Sequence, residues 1–157
     1  MRLSEVRIKN YRLLIDAKLD VDAKTTLIVG RNNTAKTSCS SCINTVLQGS
    51  DFSYNDYPLS KREGLHNLFL QFMEKKLSYE DLCKKIETIS IEFLVDYSLD
   101  DPDAKLGALS PFIIDVDVDT TTALICVEYQ LKTDENKLRE LFKDSCYSEG
   151  QFDPNAE

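Results

Sequence analysis

Thr25-Thr26-Leu27-Ile28-Val29-Gly30-Arg31-Asn32-Asn33-Thr34-Ala35-Lys36-Thr37 is the stretch on which the reading of the chain turns. The apolar run Leu27-Ile28-Val29 ends at Gly30, and after five residues comes Lys36-Thr37. This is the phosphate-cradle spacing G-x-x-x-x-G-K-[ST], except that Ala35 stands where the second glycine belongs. The run before it lacks alternation, as expected of a strand buried on both faces. After it, Cys39, Ile43, Val46 and Leu47 recur at helical spacing, and Gly49 is a natural C-terminal stop. Strand, loop and helix together make the motif a structural expectation.

The chemistry follows from that geometry. A glycine-type turn at a helix N-terminus points successive backbone N–H groups into one hollow, which attracts the oxyanions of a di- or triphosphate. Lys36 would reach the phosphate oxygens as a point charge. The Thr37 hydroxyl would complete the shell of a Mg²⁺ bridging those phosphates. The bland alternative is that Gly30 simply ends a strand and Lys36 starts a solvated helix. Ala35 matters if φ is positive there, where a residue other than glycine is costly.

Working outward, residues 3–11 alternate, with Val6 and Ile8 opposite Arg7 and Lys9, and residues 17–22 alternate strictly. Two amphipathic strands are therefore expected ahead of the loop. Residues 50–60 read as a loop whose aromatics pin it to the core. Leu65, Leu68, Phe69, Phe72 and Met73 form a helical stripe, and Ser78 caps a second helix carrying Leu82, Cys83, Ile86 and Ile89. Residues 91–99, 112–118 and 123–131 read as strands. Thr133 is expected to cap a last helix with Leu138, Leu141 and Phe142 inward, and residues 145–157 to form a flexible polar tail.

Composition bounds the partners. The chain has 157 residues, 42% hydrophobic and 29% charged, with a net charge of −8. Residues 1–47 hold eight Lys/Arg against four Asp/Glu, and the rest is acidic. The acidic part argues against a broad non-specific grip on DNA. No apolar run approaches the ~20 residues of a membrane span, and the N-terminus has no signal-peptide core, so a cytoplasmic location is expected. Five cysteines, an odd number, suggest reduced thiols. Cys39-x-x-Cys42 lacks a second ligand pair for zinc and reads as two small residues on a helix.

Residues 1–12, Met-Arg-Leu-Ser-Glu-Val-Arg-Ile-Lys-Asn-Tyr-Arg, followed by 27–38, Leu-Ile-Val-Gly-Arg-Asn-Asn-Thr-Ala-Lys-Thr-Ser, resemble the opening of ABC-type ATPase heads. Most similar are the OLD (overcoming lysogenization defect) family and its RecF-like and SMC-like relatives, which open with "I-K-N-[FY]-R" and carry G-x-N-N-x-G-K-[ST]. The resemblance covers residues 1 to about 48. It implies an α/β P-loop NTPase of ABC/RecF-like type: an incomplete first lobe over 1–144 with a mixed sheet and a helical insertion at about 61–89. It implies ATP with Mg²⁺ held by Gly30, Arg31, Asn32, Asn33, Thr34, Ala35, Lys36, Thr37 and Ser38, the metal by Thr37, through a degenerate Walker A loop.

The same families handle DNA, serve in repair or phage defence, and act as dimers with ATP between two heads. A homodimer, or completion by a further C-terminal part or a partner protein, is therefore implied, with DNA met through the full-length protein or complex. A Walker B segment needs about four apolar residues followed by Asp-Glu. Phe93-Leu94-Val95-Asp96 precedes Tyr97 and Phe112-Ile113-Ile114-Asp115 precedes Val116, so neither fits, and no signature like L-S-G-G-Q is present. No catalytic residue is identified, and hydrolysis by the chain alone is not expected. The alternative is a non-catalytic pseudo-ATPase interaction module. A nucleotide kinase is disfavoured by the two strands ahead of the loop and the missing Arg-rich lid.

Overall fold

Alternation along the first strand decides the sheet. In β1 (Arg2–Tyr11), Val6 and Ile8 are buried while Arg7 and Lys9 face partly outward. A computed structural model of the chain describes residues 2–31, 34–97 and 121–145. It places β1 between β2 (Leu14–Asp20) and β3 (Ile89–Asp96), with β4 (Thr122–Tyr129) outside β3, in the order β2-β1-β3-β4. All three ladders are antiparallel. Register sets Ile8 opposite Ile91 and Val6 opposite Phe93, so one face of the sheet is aliphatic and aromatic. The other face carries charge, with ion pairs Lys18–Glu5 at 2.7 Å and Lys9–Glu92 at 3.2 Å.

The chain divides into two compact units. The first is Met1–Arg62 with Thr88–Tyr129, and the second is Glu63–Glu87 with Gln130–Glu157. Besides the sheet, the first contains α1 (Lys36–Leu47) and a 3-10 turn, Tyr54–Asp56. Gly49, at φ 64°, ends α1, and the amides of Gly49 and Ser50 return to the carbonyls of Val46 and Thr45. This is the left-handed glycine stop that the sequence suggests. The boundary between the units falls within α2 (Leu59–Met73). In the second unit, Phe72, Leu77, Leu82 and Leu138 form a core. Phe72 comes from α2, Leu77 from the turn that follows it, Leu82 from α3 (Tyr79–Lys85) and Leu138 from α4 (Glu135–Ser145). Ser78 caps α3 by accepting from the Asp81 amide at 3.1 Å.

Several expectations are corrected. The sequence suggests a mixed sheet with 25–29 as its buried strand, yet every ladder among the described residues is antiparallel and 25–29 joins none. Leu27 and Val29 are exposed, at 80% and 76%. A β-prone run becomes a strand only when a neighbour pairs with its backbone, and none does so among the described residues. The inward face of α1 is Ser38 and Cys42, while Leu47 is exposed. Ile89 opens β3 instead of closing a helix. Asp134, not Thr133, caps α4, accepting from the Lys137 amide at 2.9 Å, and Leu141 is exposed. Of the loop aromatics, Phe52 and Tyr57 are buried as expected and Tyr54 is not. The strand expected at 112–118 and the tail beyond 145 lie outside the described residues. No helix among the described residues is long and apolar enough to cross a membrane.

Candidate phosphate-binding loop

The loop begins where the apolar run stops. A Cβ built on Gly30 would lie 2.9 Å from Thr34 Oγ1, so a larger residue there would have to displace the Thr34 hydroxyl. The Thr34 hydroxyl donates to the Arg31 carbonyl at 2.7 Å and closes the turn. Ala35 then adopts φ 62°, ψ 10°, the left-handed conformation, and serves as the N-cap of α1 with no side-chain capping bond. Position 35 is therefore one at which glycine is favoured, and alanine is strained there.

Lys36 folds back across the loop. Its Nζ donates to the Gly30 carbonyl at 2.6 Å and to the Arg31 carbonyl, with Thr34 Oγ1 at 3.4 Å. The first helical bond is from the Cys39 amide to the Ala35 carbonyl at 2.9 Å. The amides of Lys36, Thr37 and Ser38 thus precede the helical ladder and have no intrahelical acceptor. No acidic residue lies in the first turn of α1, and no Asp or Glu occurs between Asp22 and Asp51. A helix N-terminus with no acid in its first turn, and a lysine ammonium beside it, fit an anion with several oxygens.

The structure brings Gly30, Arg31, Thr34, Ala35, Lys36 and Thr37 together around this turn. The Thr37 side chain is exposed and lines an open hollow of about 660 Å³ with Ile28, Ser40, Ile43 and Leu47. Its hydroxyl is a hard oxygen donor of the kind a divalent cation takes. Ser38 is buried, so its hydroxyl faces the core and only its amide belongs to the loop. Asn32 and Asn33 lie outside the described residues. Most other N-terminal cations are taken by carboxylates, including Arg2 by Asp96 at 3.8 Å and Arg12 by Asp56 at 2.8 Å.

Two features beside the loop escaped the sequence reading. Tyr11, at the end of β1, sits against α1 with its hydroxyl 3.2 Å from Ser41 Oγ. Arg12 grips Asp56 through Nε at 2.9 Å and through Nη2. Burial pushes the Asp56 carboxyl up, but hydrogen bonds from the Ser53 amide and from Arg12 outweigh it and hold the group below its ordinary value. Nothing in the sequence marks the partners of Tyr11 and Arg12, which lie 30 and 44 positions away. Burial pushes the Cys42 thiol up to about 12, with Cys39 and Asp56 adding to the effect. Cys39 and Cys42 are free thiols, and no cluster of metal-ligating side chains occurs among the described residues.

A protein-family model described as the AAA ATPase domain matches residues 1–152. Comparison with curated proteins and with solved structures found no match.

Proposed function

The chain belongs to the AAA ATPase domain family, and from that premise we propose that residues 1–144 form one lobe that binds ATP with Mg²⁺ through residues 30–38. The observation that carries this reading is Lys36, whose ammonium is held across the loop by the Gly30 and Arg31 carbonyls. Held there, it needs little reorganisation to meet a phosphate oxygen. The free amides at the start of α1 orient the polyphosphate, and the Thr37 hydroxyl is the protein's ligand to Mg²⁺. When bound, the metal neutralises charge on the phosphates.

The finer assignment is an OLD-, RecF- or SMC-like head with a degenerate Walker A loop, cytoplasmic, and tied to DNA repair or phage defence. DNA is met through the full-length protein or complex. The lobe binds nucleotide without turning it over by itself. Asp96, the candidate that follows an apolar run in β3, is engaged with Arg2 and is followed by Tyr97 rather than a second acid. A second head of the same kind, a further C-terminal part or a partner protein would supply the missing carboxylate.

Titration of a fluorescent ATP analogue with Mg²⁺ tests the reading. Binding is expected for the chain and lost in Lys36→Ala. Equal affinity of the two removes Lys36 from the site, and robust ATP turnover by residues 1–157 alone overturns the binding-only assignment.

One observation favours a second reading, a pseudo-ATPase used as an interaction module. Ile28 and Leu47 are exposed and line the hollow next to α1, and Leu27 and Val29 on either side of Ile28 in sequence are exposed as well, more apolar side chains than a solvated turn needs. Its mark is a stable protein complex together with no nucleotide binding even in Ala35→Gly.

A further inference from the structure

Among the described residues of the first unit, three other than glycine hold left-handed backbone: Asn10 at φ 57°, Arg12 at φ 51° and Ala35 at φ 62°. Two of them flank Tyr11, and the third precedes Lys36. Such conformations persist where the surroundings over-determine them, and they cluster at sites of function. Around Tyr11 the surroundings are specific. Asn10 donates from Nδ2 to the Thr88 carbonyl at 2.9 Å. Arg12 donates its amide to the Asp56 carbonyl at 2.7 Å and its guanidinium to the Asp56 carboxylate.

The turn so fixed presents one side chain inward. Tyr11 is 1% exposed, and its ring meets Phe52 edge-on at 5.5 Å between centroids. Its hydroxyl is paired with Ser41, which lies on α1 five residues after Lys36. The Ser41 carbonyl accepts from Thr45 Oγ1 at 2.9 Å within the same helix. Over so short a distance a helix moves as a rod, so what fixes Ser41 also fixes the amides of the first turn. The inward residues of α1, Ser38 and Cys42, are small and supply little packing of their own to resist sliding.

We propose that Tyr11 is a positioning residue for the phosphate loop. Its hydroxyl on Ser41 sets α1 along the sheet, and through α1 it sets the amides of residues 36–38 relative to Gly30. This rests on the reading of the loop as a nucleotide site. It assigns Tyr11 a task that Phe at this position cannot perform.

The test uses Tyr11→Phe, Ser41→Ala and the double variant in the full chain, with two readouts. The first is affinity for a fluorescent ATP analogue with Mg²⁺. The second is hydrogen exchange of the amides at 39–42, compared with those of β3. Each single variant is expected to bind about threefold to tenfold more weakly, the size one neutral hydrogen bond supports. The double variant is expected to be no weaker than the weaker single one, because both remove the same bond. Exchange should quicken in α1 and not in β3. Unchanged exchange in α1, equal quickening in α1 and β3, or additive losses of affinity would each overturn the proposal. Absence of ATP binding by the unaltered chain refutes the nucleotide reading instead, and the exchange comparison then decides the tether by itself.

Discussion

Replacing Ala35 by glycine separates two effects that the loop combines. Ala35 is left-handed, at φ 62°. For an L-residue that conformation costs about 1–2 kcal/mol. Glycine removes the cost but has more freedom to lose on folding, about 0.5–1 kcal/mol. The net gain spans about 0–1.5 kcal/mol with a centre at about 0.75 kcal/mol, and at about 2–4 °C per kcal/mol for a chain of this length the central expectation is a rise in Tm of roughly 1.5–3 °C. A relief of backbone strain changes affinity only if the strain differs between free and bound states, so it is read first as stability. What remains for affinity is the methyl group beside the phosphates. Removing it should tighten ATP binding, tenfold for each ~1.4 kcal/mol of crowding relieved. Differential scanning calorimetry and titration calorimetry on the two forms read these effects separately. An unchanged or lowered Tm refutes the strain argument. Equal affinity refutes the crowding argument.

Three other outcomes follow from geometry already described. Gly30→Ala should weaken ATP binding, because the new Cβ would lie 2.9 Å from Thr34 Oγ1 and displace the hydroxyl that closes the Thr34–Arg31 turn, at a cost of about threefold to tenfold for the one hydrogen bond given up; an equilibrium titration with unchanged affinity would remove the need for glycine. Asp56→Asn should destabilise the chain by about 1.5–3 kcal/mol, the range for hydrogen bonds to charged groups, as measured by urea unfolding at neutral pH. The folded Asp56 carboxyl lies below its ordinary value, so its contribution is present above the unfolded value near 3.9 and is lost as pH falls through the folded one. Stability of the asparagine form should therefore fall less steeply below about pH 4; parallel acid limbs would contradict the assignment. Finally, Cys42, buried with its thiol pushed up to about 12, should resist iodoacetamide at pH 8 while exposed Cys83 reacts. Peptide mass spectrometry that finds Cys42 labelled first would count against its burial.

What the sequence disclosed was local. Val6 and Ile8 alternate with Arg7 and Lys9, and they do divide the faces of β1. The change of period at Lys36 marks the start of α1, Gly49 ends it, and Ser78 caps α3 as its neighbours suggest. The candidate loop at 30–38 stood out because phosphate chemistry asks for fixed spacing, and the structure folds Gly30, Arg31, Thr34, Ala35 and Lys36 into one turn. Other features depended on partners far along the chain. The run 25–29 has strand propensity, but propensity cannot supply a neighbouring backbone. The inward face of α1 was misread because hydrophobicity favoured Ile43 and Leu47, whereas close approach to the sheet selects Ser38 and Cys42. The Arg12–Asp56 and Tyr11–Ser41 contacts join residues 44 and 30 positions apart, and no local pattern announces them.

The exposed run beside the loop also bears on how the molecule behaves in concentrated solution. Thr25 to Gly30 is six residues without charge or proline, β-prone and outside any ladder among the described residues. Such a segment is a template for cross-β association between copies. Lys24 and Arg31 stand immediately on either side of it. They act as gatekeepers, since stacking two copies in register would bring like charges together at both ends. Arg31, a residue of the candidate loop, thus has a second task beside Lys24, that of keeping copies of this exposed run apart.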